Sequence, residues 1–184
     1  EEGKSYGEIL GCGYVRILAG RLPVEFPETR WRVINRGVSG NKVPQLYARW
    51  QVDALNLKPD ILSILIGVND VWHGLSEGRI VYNGVPPAHF ERTYRALLDY
   101  TRGILPDARL ILCEPFLLHG TAWTDEFQQG VLERQEIVRR MADDYKVAFV
   151  PYQSAFDEAL EHFTVEDLAP DGAHPTIIGT TIMA

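Results

Sequence analysis

The sequence has few cysteines and no long apolar run, and so lacks the features of disulfide-rich proteins and of membrane proteins. Its 184 residues include only two cysteines, Cys12 and Cys113, whereas disulfide frameworks usually show more cysteines in a shorter chain. We therefore expect both thiols to be reduced and the protein to be cytoplasmic. No apolar run is long enough to span a bilayer, and no signal peptide is visible, so insertion into a membrane is not expected.

Positive charge is also scarce relative to negative charge. The chain has 18 Lys and Arg against 25 Asp and Glu, which gives a net charge of −7. Such a surface repels nucleic acid and anionic membranes, so neither is expected as a partner. The spacing typical of metal ligands is missing as well, and we expect no metal and no cofactor. The scattered histidines are His73, His89, His119 and His162.

What the sequence does contain is the pattern of one α/β domain. Short apolar runs rich in β-branched residues predict buried parallel strands, and helical patterns separate them. This alternation predicts a three-layer α/β/α fold, in which helices cover both faces of a parallel sheet. The predicted strands are RVIN (32–35), DILSILIG (60–67), RLILC (109–113) and KVAFV (146–150). The predicted helices cover 14–22, 44–55, 87–105, 124–145, 152–162 and 175–184.

The order of these elements also predicts where a functional site lies. Right-handed crossovers bring the carboxyl ends of parallel strands to one edge of the sheet, where α/β proteins place their sites. Residues 71–87 read as an irregular insertion at that edge. Three polar clusters follow strand ends or the last loop, so we expect them to converge there.

The first polar cluster is DGAHP, in which Asp171 precedes His174 by three residues. Histidine is the usual general base at neutral pH, and a carboxylate on its second ring nitrogen fixes the tautomer. Pro175 can stiffen a tight loop that holds this geometry. Taken alone, an ordinary surface loop explains such a pair more often than catalysis does.

The other two clusters are NRGVSGN (35–41) and GVND (67–70). Glycine at a strand-to-helix turn lets backbone N–H groups point at an anion, and the amide of Asn69 can donate to a developing oxyanion. Simple turn chemistry, which favours the same residue types, is the commoner explanation of either cluster by itself. A functional site is indicated only by the three clusters together.

In this order, NRGVSGN, GVND and DGAHP resemble blocks II, III and V of the SGNH hydrolases, also called the GDSL esterase/lipase family. The resemblance runs from residue 35 to residue 175. It implies a flavodoxin-like fold and a cofactor-free esterase in which Asp171 is the acid and His174 the base. The backbone N–H of Gly40 and the amide of Asn69 would form the oxyanion hole. GCGYV, NRGVSGN and GVNDVW are similar to a bacterial branch of carbohydrate acetyl esterases, which implies acetylated xylo-oligosaccharides as substrates and a homo-oligomeric assembly.

The nucleophile is not where a motif search would place it. GKSYG (3–7) fits the G-x-S-x-G elbow, but no strand precedes Ser5 to hold it on a strained turn. The resemblance implies a Gly-Asp-Ser block after a first strand, and Ser39 matches a position that is not the nucleophile. We therefore expect the serine and that strand upstream of Glu1. The chain also stops inside an apolar helical pattern, so a single domain truncated at both ends is expected.

The sequence supports a serine esterase acting on a small-molecule ester. A lysophospholipase or thioesterase of the same family is the enzymatic alternative, although the acidic composition favours small polar esters. A non-catalytic binding protein on the same fold is the alternative from another class.

Overall fold

A parallel β-sheet forms the centre of the computed structural model, which describes residues 10–75 and 83–184. Within those ranges the sheet has three strands in the order β1-β2-β3. The register sets Ile64 beside Leu112, and Cys113 lies between Leu65 and Val150. The strands are β1 Ile61–Leu65, β2 Arg109–Cys113 and β3 Ala148–Val150.

Apart from the three strands, the regular secondary structure of the described residues is helical. The helices are α1 Tyr14–Glu25, α2 Val43–Asp53, α3 Val68–Trp72, α4 Pro87–Ile104, α5 Asp125–Tyr145, α6 Tyr152–Ala159, α7 Val165–Leu168 and α8 Ile177–Met183, with a 3-10 helix at Leu55–Leu57. None of these helices combines the length and the apolarity that a membrane span requires.

The alternation of side chains along β2 separates two hydrophobic clusters. Leu110 and Leu112 face a cluster with residues of α2, α4 and α5, including the fully buried Leu97. Cys113, one residue further on, belongs to the cluster on the opposite face with Phe156 of α6 and residues of α1 and α8. Because successive side chains of a strand point to opposite faces, one strand supports both cores. The prediction of an α/β fold with helices on both sides of a parallel sheet is confirmed.

The predicted strand RVIN (32–35) is wrong as a sheet strand. The segment from 31 to 38 contains no helix or strand. A strand is defined by backbone hydrogen bonds to a neighbour, and among the described residues none pairs with this segment. It is held instead by single contacts, such as that from Asn35 Nδ2 to the carbonyl of Leu10 at 3.0 Å. The apolar pattern was therefore read correctly as non-helical, but pairing could not be inferred from it.

Helix positions agree with the sequence pattern to within a few residues, and the start of α5 shows why. Thr124 accepts a hydrogen bond from the N–H of Phe127 at 3.1 Å, which caps the first turn. Pro87 occupies the first turn of α4, where its missing N–H has no consequence. Two short helices, α3 and α7, were not predicted, because four or five residues are too few to show a helical period.

Candidate active site

Asp171 and His174 are in direct contact in the loop between α7 and α8. The Asp171 Oδ2 atom lies 2.7 Å from His174 Nδ1, and Oδ1 accepts hydrogen bonds from the N–H groups of Ala173 and His174 at 3.0 and 2.8 Å. Both carboxylate oxygens are therefore occupied within a span of four residues. The His174 side chain is 71% exposed, so the ring can meet a substrate arriving from solvent.

The electrostatics of this pair favour an ionised acid. Burial by itself would raise the pKa of Asp171. Hydrogen bonds from the backbone N–H and the ring of His174, and from the N–H of Ala173, outweigh it and hold the carboxyl pKa below its usual range. A carboxylate only accepts hydrogen bonds, so His174 Nδ1 must carry a proton. In the neutral ring Nε2 is then the basic nitrogen, which is the tautomer that a general base requires.

The loop that follows β2 holds the acid in place. The N–H of Leu118 donates to the carbonyl of Gly172 at 2.9 Å, and the N–H of Ala122 donates to that of Asp171 at 3.2 Å. Gly172 has a φ of +93°, and a Cβ on Gly120 would lie 2.3 Å from the nitrogen of Gly172. Neither glycine can therefore be replaced without movement of the backbone.

Gly40 lies in a tight turn after the extended segment. The N–H of Asn41 donates to the carbonyl of Val38 at 3.2 Å, which closes a four-residue turn. Gly40, the third residue of this turn, has a φ of +75°, and a side chain there would be strained. No backbone acceptor within residues 10–75 or 83–184 binds the Gly40 N–H.

Asn69 lies in α3, directly after β1, and its Nδ2 atom is 3.4 Å from the carbonyl oxygen of Asn41. The neighbouring Asp70 is 1% exposed and accepts the N–H of Val43 at 3.0 Å. Burial raises the pKa of Asp70 to about 6, against the opposing effects of that hydrogen bond and of the cations Arg134 and Lys42. Asp70 thereby joins the start of α2 to α3 and fixes the two polar segments relative to each other.

The predicted residues meet at one cavity of about 240 Å³. Gly40, Asn69 and His174 line it, and Asp171 stands behind His174 through the 2.7 Å contact. The structure thus brings together all four residues predicted for the site. Ser39, Trp72 and His73 complete the lining. Within the described residues, no group of three or more His, Cys, Asp or Glu side chains could hold a metal ion.

Sequence reasoning missed the position of His73. For Trp72, an aromatic residue just after GVND, the sequence is equally compatible with lining a substrate pocket and with packing in the core. In the structure Trp72 does both: it packs against Phe127, with ring centroids 5.2 Å apart, and lies 5.5 Å from the ring of His174. His73 reaches the cavity because it follows Asn69 by one helical turn, a spacing that could have indicated its position. Ser5 and the rest of GKSYG lie outside the described residues, as does the middle of the predicted insertion at 71–87.

Comparisons with known proteins agree on one family. The profile of the GDSL-like Lipase/Acylhydrolase family matches residues 3–182. The acetylxylan esterase of Geobacillus stearothermophilus is 35% identical over 183 residues, which cover 100% of this chain and 82% of that enzyme. Its crystal structure has a TM-score of 0.87 at 34% identity and covers 99% of this chain and 84% of that one.

Further solved structures extend this result. An α/β hydrolase enzyme from the metagenome of Lake Arreo, Spain, has a TM-score of 0.88 at 33% identity and covers 99% of this chain and 82% of its own. Among the structures of the Geobacillus enzyme are two catalytic mutants, one with a serine and one with a histidine replaced by alanine.

Proposed function

This chain belongs to the GDSL-like lipase/acylhydrolase family and is a hydrolase of ester bonds, and we propose that it removes acetyl groups from carbohydrates. The proposed catalysts are a serine, His174 and Asp171, with the backbone N–H of Gly40 and the amide of Asn69 as oxyanion donors. The observation that carries the proposal is the 2.7 Å contact of His174 with Asp171 at the edge of a cavity that Gly40 and Asn69 also line.

The chemistry follows from the state of each group. His174 Nε2 takes the proton of the serine hydroxyl while the serine oxygen bonds to the ester carbonyl carbon. The carbonyl oxygen becomes an oxyanion, which Gly40 and Asn69 stabilise. His174 then protonates the departing alcohol, and water repeats the sequence to release the acid. Asp171 keeps the Nδ1 proton in place and stabilises the imidazolium through both steps.

The nucleophile is proposed because the described hydroxyl groups are unsuitable. Among the described residues no hydroxyl forms a hydrogen bond with the His174 ring, although Ser39 lines the same cavity and is exposed. We propose a serine outside the described residues. That a serine mutant of the Geobacillus relative is called catalytic supports a serine nucleophile.

Acetyl esters of carbohydrates are favoured for two reasons. The relative that is 35% identical over the whole chain is an acetylxylan esterase. The cavity, at about 240 Å³, is small for a ligand site and suits a short acyl chain better than a long one. A lysophospholipase or thioesterase would need a larger apolar surface for its acyl chain.

One experiment tests activity, substrate and nucleophile together. The full-length gene product is assayed on p-nitrophenyl esters of increasing acyl length and on acetylated xylo-oligosaccharides, and is then labelled with a serine-reactive fluorophosphonate whose adduct is mapped by mass spectrometry. We expect acetyl to exceed octanoyl, acetate release from the oligosaccharides, and a label on a serine other than Ser5 and Ser39.

Each other outcome contradicts a separate part of the proposal. An optimum at eight carbons or more would favour a lipase, and a label on Ser5 or Ser39 would reassign the nucleophile. A protein that hydrolyses no ester and takes no label would be a binding protein on this fold.

A further inference from the structure

The guanidinium of Arg49 contacts both ends of the loop that carries Gly40. From α2, its Nη1 donates to the backbone carbonyl of Arg36 at 2.8 Å, and its Nε donates to the Asn41 side-chain oxygen at 2.9 Å. The side chain is 22% exposed and also pairs with Asp53, one helical turn further on, at 2.7 Å. Three acceptors in fixed directions suit the planar fork of arginine.

Asn41 connects this contact to the oxyanion donors. Its N–H closes the turn that presents Gly40, by donating to Val38 at 3.2 Å, and its carbonyl oxygen lies 3.4 Å from Asn69 Nδ2. Arg49 holds the side chain of the same residue. A displacement of Asn41 would therefore move both proposed donors, and oxyanion stabilisation depends on donors that are already in position.

Within residues 10–75 and 83–184, none of the three strands supports the loop. Residues 31–38 form no backbone ladder with any other described residue. Its far end is anchored where Asp70 accepts the N–H of Val43. Arg49 is the group that joins the near end at Arg36 to the far end at Asn41.

We propose that Arg49 is a positioning residue for the reaction, which holds the loop at 36–41 so that the Gly40 N–H and the Asn69 amide meet the oxyanion. This inference rests on the proposed function. Arg49 does not line the cavity. It therefore helps to stabilise the transition state by positioning the donors, and it does not contribute to substrate affinity.

The test uses the full-length protein and the hydrolysis of p-nitrophenyl acetate. Arg49→Met keeps the aliphatic stem and removes all three hydrogen bonds. We expect kcat to fall at least about 10-fold and KM to change by less than about 2-fold. The oxyanion donors act mainly in the transition state, so their displacement lowers kcat and hardly affects KM. Arg49→Lys should not restore kcat, since an ammonium group cannot reproduce the fork.

Two controls separate positioning from general stability. Asp53→Asn removes the ion pair of Arg49 and leaves its loop contacts, and should keep kcat within about 2-fold. Arg95→Met removes an arginine of α4 that is 30% exposed and pairs with Glu91, one helical turn before it, and with Asp144 of α5. It should lose stability to a similar degree and keep kcat.

A double-mutant cycle with Asn69→Ala sharpens the test. If Arg49 acts through the oxyanion donors, the loss in the double variant should be smaller than the product of the two single losses. If Arg49→Met does not fold, Asn41→Ala removes the acceptor of Nε alone and should lower kcat in the same direction.

The outcomes of the two proposals are distinguishable. A folded Arg49→Met variant with wild-type kcat, or a kcat fully restored by lysine, overturns the positioning role while the esterase assignment stands. A wild-type protein without esterase activity overturns the proposed function itself.

Discussion

The two sides of the candidate active site are built in different ways. The acid–base side is a four-residue loop in which Asp171 bonds to Ala173 and His174, two and three positions away. The oxyanion side joins segments that are far apart in sequence: Asn69 meets Asn41 across 28 positions, and Asp70 meets Val43 across 27.

This difference shows which part of the site a short stretch of sequence can specify. The hydrogen bonds between Asp171 and His174 need only the right residues in the right order, although the loop after β2 sets the position of the pair. Donors that converge from the end of β1 and from the loop of Gly40 need the helices and side chains that fix one segment against the other. We therefore expect the oxyanion side to be the more sensitive to changes in the packing of distant segments.

The largest expected effect comes from removing the base. His174→Ala should lower kcat/KM for p-nitrophenyl acetate by at least about 10³-fold, because it removes the proposed general base that Asp171 holds in the required tautomer. The melting temperature should hardly change, since the side chain is 71% exposed. Activity within about 10-fold of wild type would contradict the assignment of the base.

Removing the side-chain oxyanion donor should have the next largest effect. Asn69→Ala is expected to lower kcat by about 10²-fold or more and to change KM far less, because the donor acts mainly in the transition state. Asn56→Ala, which removes an asparagine bonded to Gln51 away from the cavity, is the matched control. A change confined to KM would instead place Asn69 in substrate binding or turn structure.

Gly120→Ala tests the packing that places the acid–base loop. The new Cβ would lie 2.3 Å from the nitrogen of Gly172 and 2.4 Å from the carbonyl carbon of Asp171, so the backbone must shift. We expect a loss of about 2 kcal/mol or more in the free energy of unfolding, together with a fall in kcat.

Gly103→Ala provides the comparison for Gly120→Ala. A Cβ at this position in α4 would meet no atom within 4 Å outside the neighbouring residues and the backbone of its own helix, so the substitution should change stability by less than about 1 kcal/mol. Equal effects of the two substitutions, measured by chemical denaturation, would show that the packing of Gly120 against Gly172 does not matter.

The smallest effect on activity is expected from Asp70→Asn, which should instead change the pH dependence of stability. Because burial raises the folded pKa of Asp70 to about 6, its stabilising contribution is fully present below the ordinary pKa and is lost as the pH rises through about 6.

From pH 4 to pH 8, the wild type should therefore lose about 2 kcal/mol relative to Asp70→Asn. Denaturation curves of both proteins across this range would measure the difference, while kcat should stay within a few-fold, since an asparagine oxygen can still accept the N–H of Val43. A difference that does not vary with pH would mean that Asp70 titrates as an exposed carboxyl does.

Several features were predictable because their causes are local. The cap at Thr124, the amphipathic helix α4 and the apolar runs of β1 and β2 appear where the residue pattern places them. The convergence of Gly40, Asn69 and His174 was predicted from the rule that parallel strands end at a common edge, although among the described residues the segment before Gly40 pairs with no strand. The contacts of Arg49 were not predictable, because Arg36 and Asn41 belong to another segment.

By itself, the sequence determined the alternation of strands and helices and the internal geometry of the pair Asp171 and His174. Both follow from periodicity and from hydrogen bonds within a few residues. Only the tertiary structure decided that RVIN pairs with no strand among the described residues, that Gly120 packs on Gly172, and that Arg49 contacts both ends of the loop of Gly40. Pairing, close packing and the bracing of a loop depend on which segments become neighbours, and that is set by the burial of the whole core and not by any one stretch of residues.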